Sequence, residues 1–223
     1  MPLLLDIGAN RGDATGAGLK LGYDVIAVEP SQIYAQLLQN YIYSPRVTAL
    51  KFAVSDKDGE RVEFYEAQED GLSTLNKDWL TSPAMPYNGK PFRTVYANTI
   101  TIDTLANLYG KPDLIKIDVE GAEWLVFKGM TRKMGTITFE WTYSTIAEHS
   151  KQLEYLASLG YTEYSIRFIE NHLEFPPVDS WLPIDLANLL KEQIDSRAPA
   201  WESHEWKIAE LRPTADVGMI WVH

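Results

Sequence analysis

Short apolar runs alternating with amphipathic stretches set the rhythm of this chain. Leu3 to Ile7 is a continuous apolar run ending in Asp6-Ile7-Gly8, the pattern of a strand buried on both faces. Asp13 to Gly22 reads as a short helix stopped by Gly22. Val25 to Val28 is a second buried strand, closed by Glu29-Pro30. Ser31 then caps a helix to about Tyr41, on which Ile33, Ala35, Leu37 and Leu38 recur at helical spacing. Val47 to Val54 reads as a third strand and Ser55 to Gly59 as a turn. Arg61 to Glu66 and Arg93 to Ile102 alternate like paired antiparallel strands, separated by a loop with Pro83, Pro86, Gly89 and Pro91. The rhythm then resumes with strands at Leu114 to Asp118, Thr136 to Glu140, Tyr161 to Ile166 and Val217 to Val222. Helices at Ala122 to Met130 and Ile146 to Leu159 lie between them.

Strands alternating with helices predict an α/β fold: a doubly wound, mostly parallel seven-stranded sheet with helices on both faces. To this are added the antiparallel pair and an insertion at 167–216 before the last strand. The insertion reads as two helices, Pro183 to Ser196 and Pro199 to Leu211, in a place where α/β enzymes build a lid or acceptor wall. A length of 223 residues fits one domain, 1–223. The first strand starts at about the second residue, so the chain reads as a minimal domain or a piece of a longer polypeptide.

Composition narrows the function. At 45% hydrophobic and 23% charged, the chain is neither disordered nor fibrous. Twenty Lys+Arg against 31 Asp+Glu give a net charge of −11, which repels a phosphate backbone and argues against a nucleic-acid partner. Cysteine is absent, which excludes disulfides, thiolate metal sites and cysteine nucleophiles. No apolar run reaches the roughly 18 residues of a membrane span, and a cytoplasmic protein is the expectation.

The sharpest local signal is Asp6-Ile7-Gly8-Ala9-Asn10-Arg11-Gly12, between the first strand and the first helix. Glycines there let the backbone turn tightly and approach a ligand, with helix-start N–H groups facing it. Glu29, 23 residues after Asp6, stands where a doubly wound fold places a carboxylate on ribose hydroxyls. The dinucleotide fingerprint fails: Asn10 and Asp13 occupy its second and third glycine positions, and Asp13 would oppose a pyrophosphate. A nucleoside ligand without phosphates fits better.

With Leu5 to Asp13, Val28-Glu29-Pro30-Ser31 and Leu114 to Glu123, the chain resembles the FkbM family of S-adenosylmethionine-dependent methyltransferases, of the class I, Rossmann-like fold. Ala53-Val54-Ser55-Asp56, Ser73-Thr74-Leu75 and Thr101 to Leu105 follow the family's pattern in order. The resemblance covers about residues 3–141 and does not reach the insertion. It implies that Asp6, Gly8, Asn10 and Gly12 line the methionine part of the cofactor and that Glu29 holds the ribose. Pro30, Ser31, Ala53 and Val54 would flank ribose and adenine, Asp118 and Val119 would close the site beneath the sulfonium, and Ser73 would lie nearby.

A hydroxyl acceptor needs a base within hydrogen-bond reach. Asp118, Glu120 and Glu140 are the candidates at strand ends, and His149 is the best-placed histidine; His172 and His204 fall on the insertion. Asp118 with Glu140 also resembles the carboxylates of divalent-metal-dependent O-methyltransferases such as catechol O-methyltransferase, so Mg²⁺ or Mn²⁺ on these two is a further candidate. The base-methylating signature after the fourth strand is absent, since Asp118-Val119-Glu120-Gly121 stands there. Trp141, Tyr143, Phe168, Phe175, Trp181, Trp201 and Trp206 either stack on a sugar or form the insertion's own core. The expected function is O-methylation of a hydroxyl on a small molecule, most readily a sugar or glycan. A non-catalytic nucleoside-binding module of a larger assembly, or of an oligomer, and a nucleotide-dependent oxidoreductase are the alternatives.

Overall fold

The computed structural model describes residues 1–85, 87–168, 173–201 and 217–223. The first apolar run is strand β1 (Leu3–Ile7), followed by α1 (Asp13–Lys20), β2 (Asp24–Val28), α2 (Tyr34–Tyr41) and β3 (Val47–Leu50). After the antiparallel addition come β7 (Leu114–Ile117), α5 (Glu123–Lys128), β8 (Thr136–Thr142), α6 (Ile146–Ser158) and β9 (Glu163–Arg167). The two-residue β10 (Leu182–Pro183) precedes α7 (Leu190–Trp201), and β11 (Val217–Val222) ends the described fold.

These strands form one eight-stranded sheet in the order β3-β2-β1-β7-β8-β11-β9-β10, one strand more than the pattern predicts because β10 adds to the edge. β1, β2, β3, β7 and β8 are parallel neighbours, while β11 runs antiparallel between β8 and β9. Successive side chains of β1 face opposite layers: Leu4 packs with Val25, Leu37 and Trp221, and Leu5 with Ile115, Phe127 and Phe139. Both faces are covered, as continuous apolar strands require. The chain winds from β1 outward to β3 and then returns to β7 on the other side of β1. The carboxyl ends of β1 and β7 therefore flank the topological switch, where an open sheet leaves a crevice.

The run Val47 to Val54 is not one strand. β3 stops at Leu50, and Ala53–Val54 (β4) join a second sheet of order β4-β6-β5, with β5 at Arg61–Ala67 and β6 at Phe92–Ile100. The cause is remote: Ala53 and Val54 pair in parallel with Thr99 and Ile100. Two short helices fall outside the predicted elements, the second because the strand expected to reach Ile102 ends at Ile100 and Ile102 opens a helix on which Ile102, Leu105 and Ala106 are buried. α3 (Lys77–Thr81) is capped by Asn76, whose side chain accepts from the Asp78 N–H, and α4 (Ile102–Tyr109) by Thr101, which accepts from the Thr104 N–H.

In the insertion, Ile184–Leu189 is a 3₁₀ turn leading into α7, and Ile184, Ala187, Leu190 and Ile194 join the core. Most of the helix expected at 199–211, together with His172, His204 and Trp206, lies outside the described residues. Among the described residues, no helix is long and apolar enough to cross a membrane.

Candidate active site

A cavity of about 640 Å³ opens over the carboxyl ends of β1, β2, β7 and β8. Gly8, Asn10, Glu29, Pro30, Ser31, Ala53, Val54, Ser73, Asp118 and Val119 line it, as do Glu120 and Glu140. Asp6, Gly12 and His149 do not. The outer wall comes from the second sheet and the segment between β5 and β6, including Phe64, Leu75 and Tyr87, and no described residue of 167–216 lines the cavity.

The turn after β1 is tightly determined. Gly8 has φ 73°, and a Cβ there would sit 1.8 Å from the Asp118 carbonyl oxygen. The Gly8 and Ala9 N–H groups both donate to the Val28 carbonyl, 3.0 Å each, which ties the turn to β2. Asn10 adopts φ 48°, and its buried Oδ1 has no hydrogen-bond partner, an acceptor at the wall awaiting a donor. Gly12 caps α1 with φ 97°, and a Cβ there would collide with the Tyr41 ring. Asp6 is wholly buried beneath the turn and accepts from the Thr15 hydroxyl at 2.6 Å.

Glu29 is the hub of the next wall. Its two carboxylate oxygens accept from the Asn10 N–H at 2.9 Å and the Ser31 N–H at 2.8 Å. Burial pushes its carboxyl up, against the lowering effect of those bonds. A carboxylate has about four lone-pair sites, so beside these two donors and the Ser31 side chain capacity remains for a ribose hydroxyl. Ser73, by contrast, uses its Oγ to accept from the Ala67 N–H at 3.1 Å.

The floor is acidic around one buried cation. Lys116, 3% exposed, extends from β7 to donate to the Gly8 carbonyl at 3.1 Å, and its Nζ lies 3.3 Å from Asp118 Oδ2. Burial alone would lower its pKa, but Asp118, Asp6 and Glu140 outweigh it and raise the ammonium above its ordinary value. Asp118, Glu120 and Glu140 each bring a carboxylate oxygen within 4.8 Å of the others. Three oxygen ligands of this kind fit a hard divalent cation; the Lys116 ammonium already supplies one positive charge to Asp118. Across the described lining, eight acids face two bases, and both bases are engaged: Arg11 pairs with Asp70 and Lys116 with Asp118.

The loop carrying the acids is clamped from α3. Trp79, 1% exposed, donates its Nε1 to Glu120 Oε2 at 3.0 Å, and Asn76 Nδ2 donates to the Gly121 carbonyl at 2.9 Å. Glu120 is held at φ 57°, a left-handed conformation rare for its type, and a Cβ on Gly121 would strike the Trp79 ring at 2.6 Å. From below, Glu123 Oε1 accepts from the Val119 and Gly121 N–H groups, 3.3 Å each. Burial is the main cause that pushes the Glu123 carboxyl up to about 7. An acid whose pKa rises on folding stabilises fully below its unfolded value of 4.5, and that stability is lost as pH rises through 7. Glu123→Gln, which does not titrate, is therefore expected to gain on the wild type by about 3 kcal/mol between pH 4.5 and 8. Urea denaturation at both pH values measures this; parallel profiles for the two proteins would contradict it.

His149 stands apart. It is buried between β8 and α6, where Nε2 accepts from the Thr142 N–H at 3.1 Å and Nδ1 meets Gln152 Oε1 at 2.8 Å. Burial pushes its pKa down to about 4, so it is a neutral structural pin at neutral pH. Among the described aromatic residues of the insertion, Phe168 meets the fully buried Trp141 of β8 edge-on, Trp141 donating Nε1 to the Arg167 carbonyl at 3.0 Å, while the exposed Phe175 lies tilted against Trp221. The aromatic residues that do line the cavity are Phe52, Phe64 and Tyr87.

Lys116 and Trp79 escape the sequence reading, and Glu123 enters it only as the end of the Leu114 to Glu123 block. Lys116 left a trace, a lone charge inside the apolar run Leu114-Ile115-Lys116-Ile117, which burial forces to find a partner. Trp79 left none, because its contact with Glu120 spans 41 residues.

No curated protein matches the chain. Among solved structures, it is similar to a precorrin-6y C5,15-methyltransferase from Geobacter metallireducens, at 14% identity and TM-score 0.42, over 100% of this chain and 78% of that one. It is also similar to an S-adenosylmethionine-dependent methyltransferase from Archaeoglobus fulgidus, at 12% identity and TM-score 0.39, over 99% and 85%. The family model of the methyltransferase FkbM domain matches residues 6–163, from the end of β1 to the start of β9. The chain thus belongs to the FkbM family of S-adenosylmethionine-dependent methyltransferases, with the class I α/β fold.

Proposed function

We propose that this methyltransferase is an O-methyltransferase acting on a hydroxyl of an uncharged, polyhydroxylated acceptor, a sugar or glycan. The observation that carries this reading is the carboxylate group Asp118, Glu120 and Glu140 at the cavity floor beside the glycine turn. A hydroxyl attacks a sulfonium methyl poorly until its proton is removed, and a carboxylate within reach supplies the base. In-line displacement otherwise asks mainly for positioning. The acid excess favours the sulfonium and ammonium of the cofactor. It offers a phosphate or carboxylate acceptor no uncommitted cation among the described lining residues.

In this reading Gly8, Asn10 and Asp118 hold the methionine end, the unpartnered Asn10 Oδ1 taking an ammonium proton, and Asp6 and Gly12 support the turn from behind. Glu29 takes the ribose, with Pro30, Ser31, Ala53 and Val54 around ribose and adenine. Val119 and Ser73 complete the wall. When bound, the cofactor supplies an electrophilic methyl group; the protein supplies alignment and the base. Glu140 takes the acceptor proton and Glu120, fixed by Trp79, grips a neighbouring hydroxyl.

Glu140→Gln is expected to keep S-adenosylhomocysteine binding and to lose about 100-fold or more in turnover at saturating S-adenosylmethionine. The assay is mass-spectrometric detection of a methylated product across a glycan and metabolite panel. Wild-type turnover in the variant would move the base elsewhere. The oxygen cluster also favours a second reading, with Mg²⁺ or Mn²⁺ on Asp118, Glu120 and Glu140. Turnover lost in EDTA and restored by either ion would select it.

A further inference from the structure

Lys116 is a buried cation in a strand that is otherwise apolar, and its surroundings are unusually specific. Its Nζ donates to the Gly8 carbonyl at 3.1 Å and lies 3.3 Å from Asp118 Oδ2 and 3.6 Å from Asp6 Oδ1. Glu140 adds a further attraction from β8. Asp6 Oδ1 makes no hydrogen bond, so the ammonium is its nearest compensation. Burying an ammonium is costly, and Asp118, Asp6 and Glu140 act against that cost. One side chain thereby joins the glycine turn to the strand end opposite it, and it lines the same cavity.

We propose that Lys116 is a positioning residue that sets the charge of the cofactor site, and with it the site's preference between a sulfonium and a neutral thioether. The inference rests on the cofactor reading above. S-adenosylmethionine and S-adenosylhomocysteine differ by one methyl group and one positive charge. If Lys116 only holds the turn in shape, its loss weakens both ligands alike. If its charge acts on the bound sulfur, its loss makes the floor one unit more negative and favours the sulfonium alone. Such a counter-charge has a catalytic consequence. The sulfonium loses its charge as the methyl leaves, so a floor one unit more negative would stabilise the reactant more than the transition state.

The test is calorimetric titration of the intact chain with each ligand at pH 8.5, comparing wild type, Lys116→Met and Glu140→Gln. The dissociation-constant ratio of S-adenosylhomocysteine to S-adenosylmethionine is expected to rise about tenfold in Lys116→Met. It is expected to fall by a similar factor in Glu140→Gln, as unit charges several ångströms apart in a partly polar interior imply. Equal weakening of both ligands in Lys116→Met, or an unchanged ratio, overturns the proposal. Should Lys116→Met fail to fold, Lys116→Gln and Lys116→Arg take its place: a ratio raised by glutamine and kept by arginine supports the proposal, and a ratio that does not differ between the two overturns it. Wild type binding neither ligand overturns the cofactor reading itself, an outcome distinct from a wild type that binds both with an unmoved ratio.

Discussion

Gly8→Ala is expected to abolish measurable S-adenosylhomocysteine binding and to lower the unfolding free energy by about 3 kcal/mol. Two effects combine at this position. A left-handed φ of 73° costs an alanine about 1–2 kcal/mol. The new Cβ would also sit 1.8 Å from the Asp118 carbonyl oxygen, which belongs to backbone and has no rotamer to retreat into. The turn, the Lys116 bond to the Gly8 carbonyl and the Asp118 loop must therefore shift together. Chemical denaturation and calorimetry measure the two losses independently. A variant that unfolds at the wild-type midpoint and binds normally would show that the crossing of turn and loop is looser than described.

Glu29→Ala is expected to weaken S-adenosylhomocysteine binding by about 10- to 100-fold, since a hydrogen bond to a charged group is worth about 1.5–3 kcal/mol and a ribose hydroxyl would lose its own. The same change orphans the N–H groups of Asn10 and Ser31, at about 2 kcal/mol of stability. Glu29→Gln separates the two contributions. It preserves size and one acceptor oxygen, yet turns an amide NH₂ toward one of two backbone donors, so the turn is perturbed while the volume is kept. Both variants should bind worse than wild type, with alanine the weaker. A dissociation constant within threefold of wild type for Glu29→Ala would place the ribose elsewhere.

What the chain reveals before folding follows the range of the interactions. Gly8, Gly12 and Glu29 are legible because strand ends, a glycine turn and a capped helix are local in sequence. Glu140 is legible as the one acid in an apolar run, although β8 continues past the expected strand end to Thr142. The break between Leu50 and Ala53 is not, since it depends on pairing with Thr99 and Ile100, nor is the seat of Trp79 against Glu120. The cavity wall likewise comes from 64–75 and Tyr87. These residues acquire a role only once the second sheet folds over the first.

The position of β11 bears on the order in which the molecule can be assembled. Residues 217–222 pair on one side with β8 and on the other with β9, so a strand made after both of its neighbours lies between them. During synthesis β1, β2, β3, β7 and β8 can associate early and shape most of the cavity. The far edge of β8 must then stay open, and sticky toward other nascent chains, until about 75 further residues have emerged. Interrupting translation just short of β11 would leave a polypeptide that carries the cavity residues yet remains prone to aggregate through that edge.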